Sequence, residues 1–145
     1  MSLQKNTSNS GATARPKAEA PITAAQVDQL EKLIGQLGGI HAEIAALSKK
    51  SPNDAVNKFK LGFVNATINR CNEFLGQTYR PIGDFKEFNP DDVPSNSDVT
   101  LIAALYLEAL EKFRTDHIRQ EYTLWYYNLA GDTKIRTSAP AKLKE

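Results

Sequence analysis

Apolar residues recur every three or four positions through three long stretches of the chain, the spacing that puts them on one face of a helix. In the first, Leu30, Leu33, Ile34, Leu37, Ile40, His41, Ile44 and Leu47 form a broad coiled-coil-like stripe. Thr23 and Gln26 have the spacing of a capping box that opens it. The second carries Val56, Phe59, Phe63, Val64, Ile68, Cys71, Phe74 and Leu75, with Leu61 at the edge. Ser51 as N-cap and Pro52 in the first turn predict its start, and Gly76 its end. The third, Ser95 to Ile118, opens on Ser95 with Asp98 three residues on. Its main stripe is Val99, Ile102, Ala103, Tyr106, Ala109, Leu110, Phe113 and His117, and Leu101 and Leu105 add a second apolar edge. From Val99 to Leu110 the circumference is apolar nearly all round, so neighbours must cover it on several sides. Another helix of the same chain, or a second subunit, is expected over Leu101 and Leu105.

Three departures from the pattern stand out. Gly35, Gly38, Gly39, Ala42 and Ala46 gather beside the first stripe, and each glycine inside a helix costs up to about 1 kcal/mol relative to alanine. They mark either a close helix approach or a break at Gly38-Gly39; the apolar stripe keeps its phase across the pair, which favours one kinked helix. Lys58, Gly62, Asn65, Asn69 and Asn72 form a polar row on the second helix. That row reads as a solvated face or, alternatively, as hydrogen-bonding groups for a partner or a nucleic-acid backbone. Lys60 projects into the apolar arc and Arg70 lies near its edge. A charge there must be paired or must reach water, and Asp84, Glu87, Asp91 and Asp92 are the expected partners.

Between the second and third helices, Pro81, Gly83, Pro90 and Pro94 exclude long regular structure. Tyr79, Ile82, Phe85, Phe88 and Val93 nevertheless predict a packed flap, with Phe85 and Phe88 on one short helical turn. From Gln77 through Asp98, five acids face two bases, the one marked charge asymmetry in the part expected to be ordered. After the third helix, residues 120–137 are rich in Thr, Trp and Tyr. A β-hairpin turning at Gly131-Asp132 is predicted, with a helical continuation as the alternative. The fold class is thus mostly α: an antiparallel bundle of three main helices, a long packed loop between helices two and three, and a C-terminal hairpin. One domain spans 22–137, with a disordered, weakly basic tail at 1–21 and a frayed one at 138–145.

At 145 residues the chain suits one domain with a real core. Eighteen Lys and Arg against seventeen Asp and Glu leave no global pull toward nucleic acid or anionic lipid. One cysteine excludes an internal disulfide, and no apolar run reaches membrane-spanning length, so a cytoplasmic protein is expected. Catalytic chemistry is thinly represented. His117 beside Asp116 and Glu121 makes at most a pair of metal ligands, Cys71 lies on a core face, and no phosphate loop or nucleophile elbow occurs. Neither a cofactor nor a metal is expected, and an enzyme is the less favoured class.

Two functional readings remain. The favoured one is a non-enzymatic protein-interaction or oligomerisation module on amphipathic helices, with Leu30, Leu33, Leu37, Ile44, Leu101 and Leu105 as contacts to a protein partner or second copy. The alternative is nucleic-acid association through Lys58, the Asn65/Asn69/Asn72 row and the Trp125, Tyr126, Tyr127, Lys134 and Arg136 segment.

Overall fold

Thr23 and Ser95 each accept from the backbone N–H three residues on, while Gln26 and Asp98 reach back to the cap N–H, completing two capping boxes. The computed structural model describes residues 20–141. In it helix α1 spans Ala24–Lys50 without a break at Gly38-Gly39, α2 spans Lys58–Tyr79 and α3 spans Asn96–Asp116. Gly76, at φ 65°, leaves helical geometry inside α2, so the regular helix ends where the glycine was expected to end it. Three short antiparallel strands follow α3: β1 Ile118–Glu121, β2 Leu124–Tyr127 and β3 Arg136–Thr137.

Ser51 caps the end of α1 instead of opening α2, which starts later behind Asn57, whose side chain accepts from Lys60 N–H at 2.8 Å. The residues between are taken up by the start of α3. Val56 N–H donates to Pro94 O at 3.0 Å, and Asn96 N–H to Asp54 O at 2.8 Å. The Asn96 amide adds a bond to Ser51 O at 2.9 Å. The end of α1 and the start of α2 therefore both meet the start of α3. At the other end, Tyr127 just past α3 reaches Glu31 of α1, and Tyr79 donates to Asp116 at 2.7 Å. These contacts fix the directions: α1 runs antiparallel to the other two helices, and α2 and α3 run the same way. A parallel pair requires a connection that returns the full helix length, which is why the loop is long.

α3 packs on both other helices. Val99, Ala103, Tyr106 and Leu110 are fully buried against Leu30, Leu33, Leu37 and Ile44 of α1 and Val64, Ile68 and Cys71 of α2. Each large side chain so covered stabilises the fold by roughly 1.5–3 kcal/mol.

The returning loop is held by the asparagine row. Asn65 both donates to Phe88 O and accepts from Phe88 N–H, each at 2.9 Å, pairing with the loop as a strand residue would. Asn69 donates to Glu87 at 2.7 Å, and Asn72 to the carbonyls of Phe85 and Lys86 at 3.3 Å. Tyr106 of α3 donates to the Asn72 carbonyl oxygen at 2.6 Å, tying core to loop. The row is neither a solvated face nor a free partner surface, because an extended loop has backbone groups that need partners and amide side chains supply both kinds. Phe85 and Phe88 meet edge to face at 5.2 Å but share no helical turn; the turn that forms is a 3₁₀ helix at Pro90–Asp92.

The predicted hairpin is a three-stranded meander. Its first turn falls inside the aromatic stretch, at Tyr122-Thr123, where Tyr122 takes the positive φ of 58° that a two-residue turn demands. The predicted Gly131 turn is present as the wider link from β2 to β3, with φ 80°. Ile22 N–H donates to Asn128 O at 3.0 Å, clipping the sheet to the start of α1.

Residues 138–141 are strapped down where fraying was expected. Buried Arg114 forks onto Glu111 with two bonds of 2.8 Å and donates to Thr137 Oγ1, Ser138 O and Ala139 O. Ala141 N–H closes the loop on Glu111 at 2.9 Å. Residues 142–145, and residues 1–19 of the predicted N-terminal tail, lie outside the described residues. No helix among those described is long and apolar enough to cross a membrane.

Two outcomes follow. Asn65→Ala removes both bonds to Phe88 and should cost about 1–3 kcal/mol in urea unfolding. It should also speed proteolytic cutting within 81–93 while helical circular dichroism is kept; unchanged cutting would mean the asparagine does not hold the loop. The second concerns pH. Burial pushes the Glu111 carboxyl up, but the hydrogen bonds from Arg114, Ala141 and Thr115 and the Arg114 charge outweigh it and hold the group below its ordinary value. A depressed folded-state value contributes stability above the unfolded value of about 4.3 and loses it as pH falls through the folded one. Wild type should exceed Glu111→Gln in stability by roughly 1–3 kcal/mol at neutral pH. That gap should narrow below about pH 4; a constant gap would exclude an ionic contribution.

Candidate functional site

Phe59 and Phe63 were expected on the core arc of α2, and the structure leaves them in solvent, 76% and 56% exposed. The buried arc is centred on Leu61, Val64, Ile68, Cys71 and Leu75. At 100° per residue the two phenylalanines fall well to one side of it. α3 covers one side of the α1/α2 pair, and the phenylalanines stand on the other. Their rings meet edge to face at 5.0 Å, an aromatic pair with little cover among the described residues.

Facing them across the helix pair is the glycine strip of α1. A groove of about 390 Å³ is lined by Gly35, Gln36, Gly39, Ile40, Glu43 and Ile44 on one wall and Lys60, Phe63 and Val64 on the other. It adjoins a hollow of about 330 Å³ at Gln36, Ile40, Phe63, Thr67 and Arg70. A further hollow of about 440 Å³ lies at Lys58, Phe59, Gly62, Phe63, Ala66 and Arg70. A Cβ added at Gly35, Gly38 or Gly39 would meet nothing within 4 Å. No contact among the described residues therefore requires these glycines, although each lowers helix stability by up to about 1 kcal/mol.

Lys60 donates to Glu43 of α1 at 2.6 Å, not to the acidic loop. The loop follows the asparagine side of α2, a different face from the one carrying Lys60 and Arg70, so the expected pairing is geometrically closed off. Asp84, Asp91 and Asp92 stand exposed, and Glu87 accepts from Asn69. Glu43 is the residue that sequence reasoning missed. The signal was an acid on the flank of the α1 stripe, without an obvious partner in its own helix.

The proposed interface leucines divide. Leu30, Leu33 and Leu37 are fully buried within the chain, because α3 takes the centre of the α1 stripe, and Ile44, almost fully buried, meets the surface only as part of the groove lining. Leu101 is 60% exposed and Leu105 half-buried, so that edge is only partly covered. Lys58 is exposed at the rim of the Phe59 hollow.

The aromatic segment also divides. Tyr127 is buried, and Trp125 and Tyr126 are half-buried, Tyr126 on the face of the strand opposite Tyr127. Strand register sets Arg119, Tyr126 and Arg136 in one row across the sheet. The cationic groups of Arg119, Lys134 and Arg136 lie 6.0, 5.1 and 6.0 Å from the Tyr126 ring centre. Glu121 accepts from both Arg119 and Lys134, so Arg136 is the cation of this face that it leaves uncompensated.

Side chains with chemical potential elsewhere are held in structural roles. Burial pushes the Cys71 thiol up to about 12, against a small lowering by Arg70, which keeps it protonated and unreactive. His117 stacks on Phe113 at 4.1 Å and its Nδ1 bonds Phe113 O at 2.6 Å. No three His, Cys, Asp or Glu gather as metal ligands among the described residues. Glu111 is paired with Arg114. What the described residues leave open is thus the apolar groove between α1 and α2. Compared with known proteins, the chain matches no family model, no curated protein and no solved structure.

Proposed function

We propose that this chain is a non-enzymatic protein-interaction module whose α1/α2 groove seats a segment of a partner. The observation that carries the reading is the pair Phe59 and Phe63, exposed beside an open glycine wall. An apolar patch of this kind on a soluble fold marks an interaction surface. Covering each phenylalanine would contribute roughly 1.5–3 kcal/mol. The glycines let a partner backbone come close, which accounts for residues that intrachain packing leaves unexplained. Two antiparallel helices with a third on one side present, on the other, the seat a fourth helix takes in a bundle. A reducing compartment such as the cytoplasm fits a chain whose single thiol is buried.

A second reading, contact with nucleic acid, is favoured by one feature: the Tyr126 ring among three cations on the outer face of the sheet. It no longer includes the asparagines, which the loop occupies.

Affinity capture from the source lysate, with and without nuclease, separates the two. Phe63→Ser should shift folding stability by less than about 0.5 kcal/mol, since the site is exposed. It should also lose the proteins retained by wild type, whatever the nuclease treatment. Equal capture by wild type and Phe63→Ser would remove the groove from function. Nuclease-sensitive capture lost in Arg136→Glu would transfer the function to the sheet.

A further inference from the structure

We infer that the occupant of the groove is an acidic amphipathic helix, one whose apolar edge is flanked by carboxylates; this rests on the groove being the binding site. Charge decides the class of partner. The hollows along the groove carry Lys58, Lys60 and Arg70 against Glu43 as their one acid. Lys60 and Glu43 neutralise each other at 2.6 Å. Lys58 and Arg70 are left with no carboxylate partner among the described residues, standing at opposite ends of the phenylalanine hollow. Twelve positions of helix separate them by about 18 Å along α2 and by about a third of a turn around it, so they flank the hollow from either side over three turns. The apolar residues between them would meet its hydrophobic edge and the two cations its acids.

The shape points to a helix as well. Gly35 and Gly39 are four residues apart on the α1 wall, so that wall repeats at one helical turn, and Phe63 stands on the opposite wall with Phe59 one turn back along α2 in the adjoining hollow. Small residues on one side permit the short interaxial distances, near 8 Å, of close helix packing.

The chain does not supply this occupant itself. Its acidic loop is fixed to the other side of α2 by Asn65, Asn69 and Asn72. Residues 1–19 carry Lys5, Arg15 and Lys17 against Glu19, the wrong sign, with only Met1 and Leu3 as large apolar side chains. A second copy laid face to face would set Lys58 and Arg70 against like charges, with only the already paired Glu43 to relieve them.

The test uses the full chain and two labelled synthetic peptides of about 20 residues, long enough for five helical turns. Both carry leucine at helical spacing, flanked in one by glutamate and in the other by lysine. Fluorescence anisotropy at low salt should show the glutamate peptide binding about tenfold tighter or more, the preference shrinking as salt is added. Lys58→Glu with Arg70→Glu should reverse the preference, and Phe63→Ser should weaken the glutamate peptide about tenfold, with circular dichroism confirming the fold of each variant. Equal affinities, a tighter lysine peptide, or a preference that survives the charge reversal would overturn the inference. If binding is equal yet still lost in Phe63→Ser, the groove reading stands and only the acidic partner falls. If neither peptide binds, the inference fails; an anilinonaphthalene dye that wild type and Phe63→Ser bind equally would then end the groove reading too. Phe63-dependent self-association in sedimentation velocity would make a second copy the occupant and overturn the acidic helix.

Discussion

The constraint from which the rest of this structure follows is the burial of α3. Val99, Ala103, Tyr106 and Leu110 have no exposed surface, and a helix apolar on so many sides cannot be covered by one neighbour. α1 supplies one side in the antiparallel direction that a short connection would favour. α2 supplies another while running parallel to α3, a direction consecutive helices reach only by carrying the chain back along the whole helix. The long loop is therefore a consequence of which helices must touch, and its composition answers the need that this creates. An extended segment on the surface of a helix has backbone groups and no strand beside it. Three asparagines of α2 stand in for that strand, and Tyr106, whose hydroxyl burial holds above its ordinary titration range, stays protonated and donates into the same network.

The C-terminal region solves a similar problem by different chemistry. Its sheet is short and its last strand has two residues, too little to be stable alone. It is fixed from both ends: Ile22 pairs with Leu129 on one side, and Arg114 gathers Thr137, Ser138 and Ala139 on the other. Arg114 is buried and its guanidinium fork is satisfied by Glu111 as well as by the strap. The group that would be costly to desolvate alone becomes the anchor for residues without apolar side chains to bury.

What was legible in the sequence was whatever depends on neighbours in the chain. Thr23 with Gln26, Ser95 with Asp98 and Gly76 were readable because caps are local geometry, and the apolar stripes of α1 and α3 because period and burial coincide. Phe59 and Phe63 were misread for an instructive reason. Periodicity says which residues share a face but not whether a partner covers it, and the α2 arc was wider than α1 and α3 together bury. Lys60 was recognised as needing a partner, yet the loop acids assigned to it lay on the wrong side of the helix, and the partner came from α1. The asparagine row could be flagged as unusual without its role being evident, since a side chain that pairs with a distant loop leaves no mark at its own spacing. Tyr122 at positive φ gave no warning either, because turns are read from glycine and asparagine.

These misreadings converge on α2, the one helix with different tasks on different faces. One face closes the core through Val64, Ile68 and Cys71. A second binds the acidic loop through amides. The third carries phenylalanines and cations beside the glycines of α1, and apart from the Lys60–Glu43 pair it is left open among the described residues. The separation is electrostatically coherent. Acids held on the asparagine side lie away from Arg70, and Lys58, which heads the asparagine row, has no ion pair among the described residues, so the open face keeps its apolar character and a positive rim. A helix whose polar face is used up by its own loop has only the remaining side to offer, and that side combines small residues, exposed aromatics and uncompensated charge. The same long loop that lets α2 lie parallel to α3 thus also determines which surface of the bundle is left open.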